Sequence, residues 1–489
     1  MPELSVSRLL DGRILVLVVI LGGLLTLQGS NNLEAPKVVY FLLAIAAVAG
    51  AVASAPWWLP RMGTATTRPW LIASASTVAL LIVSLAVSRV HNTSFTSWLR
   101  DASAYALFAA APILALACAC RASRRWLVAL LAVCGALASL SFAVEWISRR
   151  HLTSLPIDRI ALPSETLAAA LLALATALAL AGASRRWWWA AMAGAVLGLF
   201  FITGSRSTLL LLAVPTGVAM FAGRPWRGGA PVLMIELAMA LAVFFAGEFG
   251  IAVANGNVSL PRIGAAATAQ PSNPTSTPTS PTSPTAATSA TTPVPTSPTA
   301  ATAATTPAPD RLGQRISEIG TLITNPESDP SLQERLSQMK VAWQAFTSSP
   351  LLGVGPGYSF QWTNSGNKVV STPTLDTPLI YLAKFGLLGL VPLALFAAAC
   401  LRLAFELWRQ RERVRIEYLT VVGFAFVLVV LGIQSFPFED KGASFALILV
   451  LALGVSGLIR QDPAGGLAAP LRVGEPEGKR DRGATAPGQ

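Results

Sequence analysis

Twelve apolar runs divide this sequence, near residues 14–28, 38–55, 70–88, 102–120, 126–146, 166–183, 187–204, 208–222, 231–253, 379–400, 416–435 and 444–459. A membrane-spanning helix needs about 20 mostly apolar residues to cross roughly 30 Å of hydrocarbon, and it satisfies its backbone hydrogen bonds internally. A chain built from such runs has few folds open to it. The sequence predicts an all-α polytopic membrane protein of about 12 transmembrane helices. Composition agrees, since only 12% of the 489 residues are charged, about half the share usual in soluble domains. Pro215 lies within the run 208–222, which is therefore expected to be kinked or broken.

Basic residues set the expected orientation. With the N-terminus in the cytoplasm, the cytoplasmic loops hold Arg61 and Arg68, then Arg121, Arg124 and Arg125, then Arg185 and Arg186, then Arg224 and Arg227. The last such loop carries Arg402, Arg409, Arg411, Arg413 and Arg415. The short external loops carry fewer, so the positive-inside bias places both termini in the cytoplasm. The net charge of +12 is then a matter of topology, and no nucleic-acid partner is expected. The partner that composition requires is the lipid bilayer.

Cys118, Cys120, Cys134 and Cys400 all fall inside apolar runs, and the chain has only two histidines, His91 and His151. Neither metal-ligand nor redox spacing appears, so no metal and no cofactor are expected. The basic N-terminal stretch before the first run lacks a small-residue cleavage site and reads as a retained span.

This orientation puts one long hydrophilic stretch, 254–378, outside the cytoplasm between helices 9 and 10. The expected organisation is helices 1–9 over 1–253, a spacer over 254–309, a folded helical part over 310–378, helices 10–12 over 379–460, and a disordered cytoplasmic tail over 461–489. The spacer is Pro, Thr, Ser and Ala with almost no apolar bulk, so it predicts disorder with polyproline II character. It reads as a plain spacer or an O-glycosylated stalk. Beyond it, Leu312, Ile316, Ile319 and Ile323 share one helical face. A second helix is expected over "SLQERLSQMKVAWQAF", opened by a Ser331–Glu334 capping box, with Leu332, Leu336, Met339, Trp343 and Phe346 as its stripe. The stripe reads as packing or as a face laid on the membrane surface.

Several polar residues stand out at the external boundary. Arg206, in "TGSRSTLL", sits where the positive-inside bias would not put an arginine; it either snorkels to headgroups or grips an anionic ligand, since guanidinium matches phosphate oxygens bidentately. Arg335 falls in the expected first turn of a helix, where the dipole favours anions; it reads as a solvated face or as a second anion ligand. Arg311 and Arg315 are weaker versions of the same idea. Glu236 and Glu248 lie in the ninth run, and intramembrane carboxylates are functional suspects. The turn "SPLLGVGPGYSF" fixes its backbone with Pro350 and Pro356 and frees it at Gly353, Gly355 and Gly357. Alone it is a rigid turn.

Taken together, Arg335, Trp343, "SPLLGVGPGYSF" and "DTPLIYLAKFGLLGL" resemble the membrane domain of the O-antigen ligase and polymerase family. In that family an external Arg and an amphipathic helix with Trp precede P-L-x-G-x-G-x-G and a span containing G-L-x-G. "TGSRSTLL" resembles the family's short S-R turn, and the resemblance covers roughly 190–460. It implies an integral glycosyltransferase of surface polysaccharide and lipopolysaccharide assembly in the cytoplasmic (inner) membrane. Its donor would be an undecaprenyl-diphosphate-linked glycan, and its acceptor a glycan or a lipid-anchored glycan. Arg206 and Arg335 would bind diphosphate with no metal, and Gly353, Gly355, Gly357 and Tyr358 would shape the substrate pocket. Ligases of the family usually carry a His just before the span that starts near 379; this chain has none there. Asp376 is the nearest candidate base, and it reads equally as an N-cap ahead of Pro378. Two other functions stay open: a transporter or flippase of lipid-linked glycan, and an inactive structural member of the family.

Overall fold

The computed structural model describes residues 37–61, 67–149, 165–202, 210–222, 229–254, 330–364, 367–370, 375–434 and 436–459. The expected first run, Arg206, the spacer, the helix over 312–323 and the C-terminal tail lie outside them.

Among the described residues, apart from the four-residue helix Ala55–Trp58, the α-helices are α1 (Lys37–Ala53), α2 (Arg68–Val90), α3 (Phe95–Arg121), α4 (Arg124–Arg149), α5 (Glu165–Leu180), α6 (Arg186–Ile202), α7 (Ala213–Phe221), α8 (Ala230–Ala254), α9 (Pro330–Ser348), α10 (Ile380–Phe385), α11 (Leu390–Arg409), α12 (Arg415–Gln434) and α13 (Lys441–Ile459). Among the described residues, seven stretches are long and apolar enough to cross a membrane: 68–90, 95–120, 124–144, 230–247, 387–409, 415–433 and 441–459. The chain is thus a multi-pass, mainly helical membrane protein. Three further apolar helices, Glu165–Leu180, Arg186–Ile202 and Leu210–Phe221, are shorter. The last carries Pro215 within its helical stretch.

Two helices are buried on every side. In α5 all residues from Thr166 to Ala179 are buried, and in α13 all from Gly442 to Gly457. Helices that are apolar all round belong at the centre of a bundle, and alanine-rich α5 lets its neighbours come close. Around them pack α3, α4, α6 and α12. Close approach also joins α6 to α8. A Cβ on Gly194 would fall 2.3 Å from the Glu236 carbonyl oxygen, and one on Gly198 2.6 Å from that of Ala240. Small residues four apart allow membrane helices this contact.

The mainly helical fold carries one small hairpin, in which Gln361–Asn364 and Asn367–Val370 pair antiparallel as β1 and β2. Two expectations need correction. The run 379–400 is not one span. Gly386, at φ +60°, ends α10, and a turn of 3₁₀ helix over Leu387–Gly389 precedes α11. A left-handed residue cannot sit inside an α-helix, so α10 is a separate short element before the crossing stretch 387–409. Lastly, α9 begins at Pro330, a favoured first helical position. Ser331 is therefore inside the helix rather than its cap, and Arg335 lies in the second turn, where the dipole argument is weak.

The bundle has two unlike ends. At one lie the junctions 121–124, 180–186 and 409–415, the end of α7 and the start of α8, with Arg124, Arg125, Arg185, Arg186, Arg411, Arg413 and Arg415. There Arg124 pairs with Glu417 at 2.7 Å, and Arg415 donates to the Ala222 carbonyl at 3.2 Å. At the other end lie the junctions 90–95 and 434–441, the start of α5, and the segment from α9 to α10.

Candidate active site

The second end gathers Asp101, Lys384, Glu439 and Asp440. Two clusters form there, and the short turn Pro437–Asp440 contributes one carboxylate to each.

The first cluster is closed. Lys384 in α10 is fully buried (0% exposed). Its ammonium donates to Asp101 Oδ1 at 2.8 Å and to Glu439 Oε1. Tyr105 donates its hydroxyl to the same Glu439 oxygen at 3.1 Å, and the Gly357 N–H donates to Asp101 Oδ2 at 2.7 Å. Aromatic rings wall the cluster: Tyr381 stacks on Phe436 with centroids 4.4 Å apart, and Tyr105 meets Phe385 edge-on at 4.8 Å. Burial alone would favour neutral Lys384, but the two carboxylates reverse this and raise its pKa. Burial also pushes Glu439 up to about 7, with Asp101 adding to the rise and Lys384 opposing it. One ammonium cannot fully compensate two buried carboxylates, so Glu439 holds its proton more readily.

This cluster fastens the glycine turn to the bundle. Gly353, Gly355 and Gly357 have φ of +69°, +85° and +79°, a region that glycine enters freely and other residues avoid. Each also has a close neighbour where a Cβ would stand: the Lys384 carbonyl oxygen at 2.4 Å, Ser88 Oγ at 2.2 Å and the Ser97 carbonyl carbon at 2.6 Å. The N–H groups of Val354 and Gly355 donate to the Ala383 and Lys384 carbonyls, and Ser88 Oγ donates to the Pro356 carbonyl. The glycines thus let the loop lie backbone to backbone against α2, α3 and α10. Tyr358 stands beside the turn, edge-on to His91 with centroids 6.1 Å apart.

The second cluster is more open. Asp440 caps α13, accepting the Gly442 N–H at 2.9 Å, and it also accepts the Thr166 hydroxyl at 3.1 Å at the start of α5. One carboxylate therefore joins two helix N-termini, a favoured place for negative charge. Burial nevertheless raises its pKa; the hydrogen bonds from Gly442 and Thr166 and the charge of Lys441 only partly offset this. Glu165, the first residue of α5, lies within electrostatic reach of Asp440, Asp376 and Arg335. Lys441 in turn lies near Asp440, Asp101 and Arg100. Asp376 is exposed, and its backbone N–H donates to Gln338 Oε1 at 2.6 Å. Gln338 is three residues from Arg335, so one face of α9 positions both sequence-predicted residues.

The structure thus brings Arg335 and Asp376 to the same small region. It sets Gly353, Gly355, Gly357 and Tyr358 on the neighbouring turn, tied to the first cluster. Sequence reasoning missed Asp101, Tyr105, Glu165, Lys384, Glu439 and Asp440. A lysine within an apolar run and the Glu439-Asp440-Lys441 triplet in so short a loop were the available signals.

Residues 191–394 match the family model described as O-antigen ligase. The matched stretch holds Arg335, the glycine turn, Asp376 and Lys384, whereas Asp101, Glu165, Glu439 and Asp440 come from outside it. No curated protein matches the chain.

Proposed function

We propose, from the match of residues 191–394 to the O-antigen ligase family model, that the open cluster is the active site of an extracytoplasmic glycosyl transfer. An undecaprenyl-diphosphate-linked glycan is the donor, and a glycan or lipid-anchored glycan is the acceptor. The acceptor hydroxyl oxygen attacks the anomeric carbon, the bond from that carbon to the diphosphate breaks, and the hydroxyl proton passes to Asp376. Undecaprenyl diphosphate leaves as an anion, so no acid is needed for it. Arg335, with Arg206, stabilises its growing charge. The turn Gly353–Tyr358 forms the floor beside it. In this reading the clustered end faces away from the cytoplasm, and the membrane is the cytoplasmic (inner) one.

The observation that supports this reading most is the pairing of Arg335 and Asp376, drawn from separate motifs, around Glu165. A diphosphate entering among Glu165, Asp376 and Asp440 would meet repulsion. Burial favours the neutral form of Asp440, and Arg100 and Lys441 stand nearby; both ease entry.

Reconstituted protein supplied with an undecaprenyl-diphosphate oligosaccharide tests the proposal. Release of undecaprenyl diphosphate is expected, with the product's size separating polymerised from ligated glycan. Glycan crossing the bilayer without release makes the protein a transporter. Neither release nor crossing, with several acceptors tried, makes it an inactive structural member.

A further inference from the structure

Next to the glycine turn the molecule presents an apolar edge that no charge interrupts. Leu351 is 64% exposed and Leu352 37%, while Leu387 and Leu388 are each 47% exposed. The two leucine pairs are distant in sequence, yet one rigid clasp holds them together. The Leu387 N–H donates to the Pro350 carbonyl at 2.8 Å, and the Leu388 N–H to the Leu351 carbonyl at 3.1 Å. A Cβ on Gly386 would fall 2.4 Å from the Leu351 carbonyl carbon, so only glycine allows this approach. Four leucines so fixed cannot turn inward to escape water.

We propose that Leu351, Leu352, Leu387 and Leu388 form a wedge seated among lipid acyl chains of the leaflet that meets the first turn of α11. The wedge continues a surface already assigned to lipid. Leu387 and Leu388 open the stretch 387–409, which is long and apolar enough to cross a membrane, and the exposed Leu390 and Val391 follow directly. The Leu351–Leu352 pair is bonded to that first turn and so lies at the same depth. No residue from Ala345 to Phe360 is charged, so nothing on this edge resists hydrocarbon. Leading into it, α9 exposes Leu336, Met339 and Trp343 on one face, and tryptophan favours the membrane–water boundary. The exposed face of α9 and the leucine clasp therefore ride on the bilayer, which holds the open cluster at the level where a lipid-linked molecule presents its headgroup. The inference goes beyond the proposed glycan transfer and does not depend on it, because its readout needs no substrate.

Spin labels on single cysteines test it in lipid nanodiscs, with Cys118, Cys120, Cys134 and Cys400 replaced by alanine. Labels at Leu351→Cys and Leu388→Cys are compared with Leu401→Cys on the outer face of α11 and with Arg413→Cys in the turn after it. Accessibility to oxygen over a water-soluble nickel chelate should match that at 401 and be reversed at 413. Chelate access at 351 and 388 equal to that at 413 would overturn the wedge. Access by neither probe would overturn it as well, since a protein surface would then cover the leucines.

Discussion

The two charge clusters stand side by side at one end of the bundle, linked through consecutive residues Glu439 and Asp440, and they differ in how their charges are used. Around Lys384 the ammonium, both carboxylates, the Tyr105 hydroxyl and the Gly357 N–H are spent on one another inside an aromatic wall. Around Arg335, Asp376 is exposed and Glu165 is shared among several fields. A closed set of buried charges holds structure in place, because each is satisfied and water is excluded. An open set of like and unlike charges at a surface is where a substrate can exchange places with solvent. The difference teaches that proximity to a motif does not settle a residue's surroundings: Lys384 and Asp376 flank the same short segment, yet one is buried in ion pairs and the other is exposed.

Breaking the closed cluster should have the largest effect. Lys384→Met leaves two buried carboxylates without their cation, a loss of about 3–5 kcal/mol by analogy with broken buried ion pairs. Thermal unfolding in detergent should show it, and adding Glu439→Gln should restore part of it. If the open cluster unfolds the protein as readily when altered, the distinction fails.

Arg335→Ala should act on transfer alone. Loss of one preorganised cationic partner for developing charge reduces turnover by roughly 10²–10³-fold, with the unfolding temperature unchanged. Next, Gly353→Ala should destabilise by about 1–3 kcal/mol, because φ of +69° strains a residue with a Cβ and that atom has the Lys384 carbonyl in its way. Its measured cost should fall with that of Lys384→Met rather than add to it, since both loosen one contact.

The closed cluster should also show a pH dependence. Glu439 has its pKa raised from 4.5 to about 7 in the folded protein, so folding favours its protonated form. The stability this gives is fully present below about 4.5, and it is lost as pH rises through about 7. Unfolding temperature should therefore decline across that window, and Glu439→Gln should flatten the decline.

The mainly helical, membrane-spanning character was legible because a run of about 20 apolar residues has few alternatives to a membrane helix. The helix ends were not: α3 begins at Phe95 and takes in Arg100 and Asp101, which look like loop residues until Lys384 supplies a partner. Arg335 and Asp376 could be proposed through a motif order carried on one stretch of chain. Glu165, Asp440 and Asp101 could not, because each has partners far from it in sequence. Their meaning lies in contacts such as Thr166 with Asp440 and Asp101 with Lys384, 274 and 283 residues apart. The glycine turn was legible as rigid, but its reason, backbone lying against Ser88, Ser97 and Lys384, needed three other elements to be in place.

The most direct test of the open cluster as the reaction site is Asp376→Asn in the reconstituted release assay, with the unfolding temperature taken on the same preparation. Asparagine keeps the shape and the backbone bond to Gln338 but cannot take a proton. Undecaprenyl diphosphate release should fall by roughly 10²–10⁴-fold while the unfolding temperature stays at the parent value. Release at the parent rate, in a protein of parent stability, would contradict the assignment and move the chemistry elsewhere on the molecule.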